Sequence, residues 1–143
     1  MRECIRNSGA KVSHGVDESV SFVEQELTRR IIGCAISVHR ALGAGYLELV
    51  YRNALLHELR KQGMQVQSEQ QVKVLYDGVE VGIHRYDLLV ESKVVLELKA
   101  VENLCDKHVA QIISTMKAVG VKIGLLMNFS EAKLVDGIRR VVL

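Results

Sequence analysis

Three charged residues set inside apolar strand sequence constrain this chain more than any other feature: Asp87, Glu97 and Lys99. Arg85-Tyr86-Asp87-Leu88-Leu89-Val90 and Val94-Val95-Leu96-Glu97-Leu98-Lys99 read as two strands joined by the polar turn Glu91-Ser92-Lys93. Strands this apolar are buried, and a buried charge is costly unless it is paired or bound to a metal. A period of two puts Glu97 and Lys99 on one face and Leu98 on the other. Whether Asp87 joins them depends on the turn. A two-residue loop, Ser92-Lys93, pairs Asp87 with Leu98 and aims the acids at opposite faces. A three-residue loop, Glu91-Ser92-Lys93, pairs Asp87 with Glu97 and gathers all three charges; a bulge restores the same parity. The turn holds no Gly or Asn to favour either.

The Glu-x-Lys spacing carries little weight alone, because Glu91-Ser92-Lys93 and Glu131-Ala132-Lys133 match it as well as Glu97-Leu98-Lys99. Only the last follows an apolar strand. Two carboxylates and a backbone carbonyl, that of Leu98, suit Mg²⁺, with Mn²⁺ as the alternative ion. Lys99 stands where an ammonium would position an attacking water or stabilise transition-state charge. Glu48 opens a helical stripe with Tyr51, Leu55 and Leu59. It fits two roles: a solvated first-turn acid favoured by the helix dipole, or a further metal ligand.

The 143-residue length fits one domain with a core of its own, read as residues 21–143 after a leader or extended start over residues 1–20. Aromatics make up 4%, with no Trp, so Val, Ile and Leu must fill that core. A net charge of +2 does not by itself announce nucleic-acid binding. Cys4, Cys34 and Cys105 are odd in number and lack metal-ligand spacing, which reads as a reduced intracellular thiol set. No apolar run reaches membrane-span length and the start lacks a secretory pattern, so a cytoplasmic protein without membrane contact is expected.

The periodicity predicts a helix after Ser21, with Leu27, Ile31, Cys34, Ala35, Val38 and Leu42 inward. Ser21 and Glu24 form a capping box at its start, and Gly43-Ala44-Gly45 ends it. A second helix follows from about Tyr46 to Gln62. Strand period then begins at Met64, turns at Asp77-Gly78 and returns through Val79, Val81 and Ile83 towards Asp87. After Glu97 come a helix from about Asp106 to Val119, a strand from Lys122 to Phe129 and a final edge strand from Ile138. The whole is a mixed α/β fold in which a helical crossover sets a later strand parallel to an earlier one.

Two stretches together resemble a known family. Gly45-Tyr46-Leu47-Glu48-Leu49-Val50-Tyr51 reads as Gly-x-x-Glu-x-x-Tyr, and Asp87 with Glu97-Leu98-Lys99 fits the core of PD-(D/E)xK nuclease-like proteins. The chain is similar, from about Leu27 to Leu143, to the small GxxExxY proteins of that superfamily. The resemblance implies a restriction-endonuclease-like mixed sheet flanked by helices, with metal at Asp87 and Glu97, Glu48 as the helix-borne acid and Lys99 as the catalytic lysine. Gln111 matches a glutamine that related nucleases use near the site. Four residues on, many relatives carry Tyr where this chain has Thr115, so a stacking or hydrogen-bonding partner is missing or replaced.

The reading these features favour is a Mg²⁺-dependent nuclease-like domain acting on DNA, with a homodimer left open. The alternative is a non-catalytic nucleic-acid or protein-interaction module on the same fold. His84, three residues before Asp87, is open to a supporting role or to that of an ordinary strand histidine; His39 and His57 fall on different helices and form no ligand pair.

Overall fold

The computed structural model describes residues 11–13 and 21–143. Its elements run β1 (Lys11–Ser13), α1 (Phe22–Leu42), α2 (Glu48–Lys61), β2 (Val66–Ser68), β3 (Gln71–Tyr76), β4 (Val79–Arg85), β5 (Leu88–Val90), β6 (Val94–Lys99), α3 (Asp106–Val119), β7 (Ile123–Asn128), a 3₁₀ turn (Leu134–Gly137) and β8 (Ile138–Val142). Six strands form the main sheet in the order β1-β8-β7-β6-β5-β2, and β3 and β4 form a separate ribbon. This is the restriction-endonuclease-like mixed fold the sequence implied.

Two apolar layers cover the sheet. On one face Val94, Leu96 and Leu98 of β6 pack with Ile31 of α1 and Tyr51, Leu55 and Leu59 of α2. On the other, Val95 meets Ile112, Ile113 and Met116 of α3. Alternate residues of β6 therefore enter opposite layers, as strand geometry requires. Helix α3 carries the chain from β6 to β7, which pairs parallel to it. Strand β7 is buried along its whole length, because it is covered on both faces and flanked on both edges.

Strands β2 to β5 are one long hairpin with an interruption. The pairs Val66↔Val90 and Ser68↔Leu88 share their register with Gln71↔Arg85 and Val72↔His84. Across the gap, the Glu69 N–H donates to the Asp87 carbonyl at 3.0 Å and the Tyr86 N–H to that of Gln70 at 3.2 Å. Glu69 takes a left-handed φ of 52° there, an unusual conformation for a side-chain-bearing residue. Beyond the interruption the hairpin leaves the sheet, and only its base remains beside β6. The Asp77-Gly78 turn lies at the far tip, both residues having positive φ as such a tight turn needs.

The capping box at Ser21 is present, and α1 and α3 follow the expected bounds. Three expectations change. Helix α2 begins at Glu48, after an extended Leu47 at its N-cap, and the Tyr46 N–H ahead of it donates to the Tyr51 hydroxyl. Strand β8 is not at the sheet edge: Lys11–Ser13, expected within the leader, pairs antiparallel with it. The rest of residues 1–20 lies outside the described residues. The thiols are not all reduced, since Cys105 is disulfide-bonded; Cys34 is a buried free thiol, and Cys4 lies outside the described residues. Among the described residues no helix is long and apolar enough to cross a membrane.

Candidate active site

The β5–β6 turn resolves the parity question. Leu88 pairs with Leu96 and Val90 with Val94, which leaves the three-residue loop Glu91-Ser92-Lys93. Continuing that register one step sets Asp87 opposite Glu97. Glu91 and Ser92 adopt positive φ values of 51° and 54° without being glycine. What holds them there is distant in sequence. The Glu91 N–H donates to the Gln65 carbonyl at 2.8 Å, and the Glu91 carboxylate accepts the Gln65 N–H at 2.9 Å.

Asp87 sits where the hairpin peels away from β6. The strand partner that Leu98 would otherwise have is absent, and the Leu98 N–H instead donates to the Asp87 carboxylate at 2.9 Å. A residue's N–H and C=O lie on the same edge of a strand, so the Leu98 carbonyl opens on the Asp87 side. Glu97 meets Asp87 carboxyl to carboxyl. Its pKa is pushed up from the ordinary 4.5 to about 8, first by burial, then by the Asp87 charge and a hydrogen bond with Asp87. The Lys99 charge and the Thr115 hydroxyl pull the other way without overcoming it.

Two carboxyls in such contact cannot both ionise without added positive charge, so the pair retains a proton near neutrality. A divalent cation can take that proton's place. Asp87, Glu97 and the Leu98 carbonyl form an all-oxygen donor set, which fits a hard ion such as Mg²⁺.

Glu48 reaches the end of the same strand from the opposite layer. Its carboxylate accepts the Ala100 N–H at 3.3 Å, and the residue is exposed. Because α2 packs on the face away from α3, Glu48 approaches around the end of β6. It does not merge with Asp87 and Glu97: no group of three acidic, His or Cys side chains suited to a metal forms among the described residues. Gln111 is exposed on α3, where its carbonyl accepts the Thr115 hydroxyl at 3.1 Å.

The Gly-x-x-Glu-x-x-Tyr stretch has a mechanical explanation. Gly45 has a φ of 117°, open in practice only to glycine. Tyr51 is fully buried, donates its hydroxyl to the Gly43 carbonyl at 2.6 Å and stacks on Phe129 with ring centroids 4.6 Å apart. Phe129 in turn donates its N–H to the Lys99 carbonyl at 2.8 Å. The tyrosine thus ties the start of α2, and Glu48 with it, to the end of β6.

Two groups near the acids were not singled out by sequence. Arg52, one helical turn after Glu48, pairs with Glu69 at 2.8 Å and approaches Asp87 at 4.0 Å. Its place beside the motif tyrosine was the available signal. Asn128, fully buried at the end of β7, exchanges hydrogen bonds with the Val101 backbone and so fixes the chain after β6. Thr115 meets the ribbon: His84 Nε2 lies 2.6 Å from its hydroxyl. His39 is structural, its ring 2.8 Å from the Glu131 carbonyl.

Residues 25–141 match the PD-(D/E)XK nuclease superfamily, and the chain belongs to it. No curated protein and no solved structure matches the chain.

Proposed function

We propose that this protein is a metal-dependent phosphodiesterase of the GxxExxY type, acting on DNA. The observation that carries the reading is the Asp87–Glu97 contact, which holds Glu97 at about 8 and so creates a demand for positive charge. Asp87, Glu97 and the Leu98 carbonyl would hold Mg²⁺ or Mn²⁺. When bound, such an ion lowers the pKa of a coordinated water and neutralises charge growing on a phosphodiester. Lys99, on the Glu97 face of β6, orients the water or stabilises the pentacovalent transition state; an ammonium has no lone pair with which to be a ligand. Glu48, at the end of β6, is suited to hold water at the rim. Gln111, exposed on α3, is assigned to substrate contact.

Titration calorimetry with Mg²⁺ and Mn²⁺ tests this, followed by cleavage of single- and double-stranded DNA. Wild type should bind the ion and cut; Asp87→Ala should do neither. Absence of metal-dependent cleavage on either DNA form or on RNA would transfer the assignment to a non-catalytic interaction module. One observation favours that second reading: the ribbon exposes Leu75, Tyr76, Val79, Val81 and Ile83, each at 58% or more. Apolar surface concentrated in this way marks interaction sites, and a second copy of the chain is one such partner.

A further inference from the structure

We propose that His84 and Thr115 form a hydrogen-bonded relay that fixes the orientation of the Glu97 carboxyl, making the ribbon part of the metal site. The proposal rests on the assignment of Asp87 and Glu97 as metal ligands. Thr115 is fully buried on α3, so its hydroxyl needs partners within the protein. Besides His84, its single proton has two acceptors in reach, the Gln111 carbonyl at 3.1 Å and Glu97 Oε1 at 3.5 Å. With that proton committed, the Thr115 oxygen accepts from His84 Nε2, 2.6 Å away. The relay therefore assigns the His84 hydrogen to Nε2; the opposite tautomer, with Thr115 donating to Nε2, would take the proton away from Glu97.

A carboxylate holding a cation is a stronger acceptor than an amide carbonyl. The Thr115 proton is shared between Gln111 and Glu97 in the metal-free protein; with a cation held it would turn wholly to Glu97, the His84 bond holding the threonine oxygen while it turns. Glu97 has two oxygens: the one tied to Thr115 is fixed, which leaves the other to face Asp87 and the ion. His84 comes from β4, where it is paired with Val72, and not from the elements that bear the acids. It acts through Thr115 and is a positioning residue. The plain alternative is that His84 and Thr115 only tether the ribbon to α3.

Nitrogen-15 NMR of the histidine rings in metal-free protein separates the two. The relay expects the Nε2–H form of His84, with a signal that shifts in Glu97→Ala because Thr115 loses one acceptor. A His84 protonated only on Nδ1, or one indifferent to Glu97→Ala, overturns the relay. Manganese titration supplies the second readout. Thr115→Val and His84→Leu should each weaken Mn²⁺ binding by about tenfold or more. The double variant should be little worse than either alone, because both cut one chain. Thr115→Ser, which keeps the hydroxyl, should restore affinity, and unchanged affinity in both single variants would leave only the tether. If wild type binds no Mn²⁺, the metal-site assignment fails, while the NMR coupling still decides the relay.

Discussion

The base and the tip of the β2–β5 hairpin belong to one antiparallel pairing, in one register as far as Val74, yet their fates differ completely. At the base Leu88 and Val90 are fully buried; at the tip Val81 and Ile83 are 58% and 60% exposed. The strands differ in what lies beside them, and β5 answers with the unbroken apolar run Leu88-Leu89-Val90 where β4 alternates. The base is laid against β6 and covered by both helical layers, whereas the tip has left the sheet at Glu69 and Asp87. Apolar residues on every second position, as in β4, report strand pairing and are silent on whether a further layer covers the apolar face. The point where cover ends is where the acids gather.

Core truncation should show this contrast most strongly. Leu88→Ala at the base should cost roughly 2–5 kcal/mol, as expected for a fully buried leucine, while Ile83→Ala at the tip should stay within about 0.5 kcal/mol. Denaturant unfolding of both variants checks it, and an equal loss at the two positions would mean the ribbon is covered in solution.

The acid pair should make stability depend on pH in an unusual direction. Glu97 has a folded pKa of about 8 against an ordinary 4.5, so between those values the folded state binds the extra proton. Stability of the metal-free protein should therefore fall as pH rises from about 4.5 to about 8, by on the order of a few kcal/mol. Glu97→Gln should flatten that slope, and so should saturating Mg²⁺. Melting curves across pH read both.

Lys99→Ala should leave Mg²⁺ binding nearly intact and lower the cleavage rate by about a hundredfold or more. Single-turnover cleavage beside calorimetry distinguishes this from Asp87→Ala, which loses both. Cleavage unchanged in Lys99→Ala would identify a contaminating nuclease.

Smaller effects belong to the tip. Gly78→Ala forces a methyl onto a residue at φ 76° and should cost about 1 kcal/mol, seen as faster amide exchange in the ribbon alone. Lys73→Ala removes an exposed 3.6 Å pair with Glu80 and should change stability by less than about 1 kcal/mol.

Much of this was legible in the sequence because the signals were local. Asp77-Gly78 marked its own turn, Ser21 and Glu24 their own cap, and the period of two put Glu97 and Lys99 on one face. The β5–β6 turn was not legible: its left-handed residues are held by Gln65, which lies 26 positions before Glu91. The same holds for His84 and Thr115, which are 31 positions apart and meet only because ribbon and α3 converge. Glu48 was read as a first-turn acid or a further metal ligand; its bond to the Ala100 N–H comes from the packing of α2 at the end of β6, which strand and helix periods do not report.

Gly124 sits on β7 in register with Val95, directly under α3. A methyl there would come within 2.7 Å of Met116 Sδ and 2.9 Å of an Ile112 methyl. The residue next to Met116 is Thr115. A lone hydrogen in the floor thus sets the clearance at which α3 rides over the sheet, and with it the reach from threonine to glutamate. A side chain at 124 would first displace the ends of the Met116 and Ile112 side chains; one too large for them to yield would act as a shim, lifting the hydroxyl away from the acid it touches.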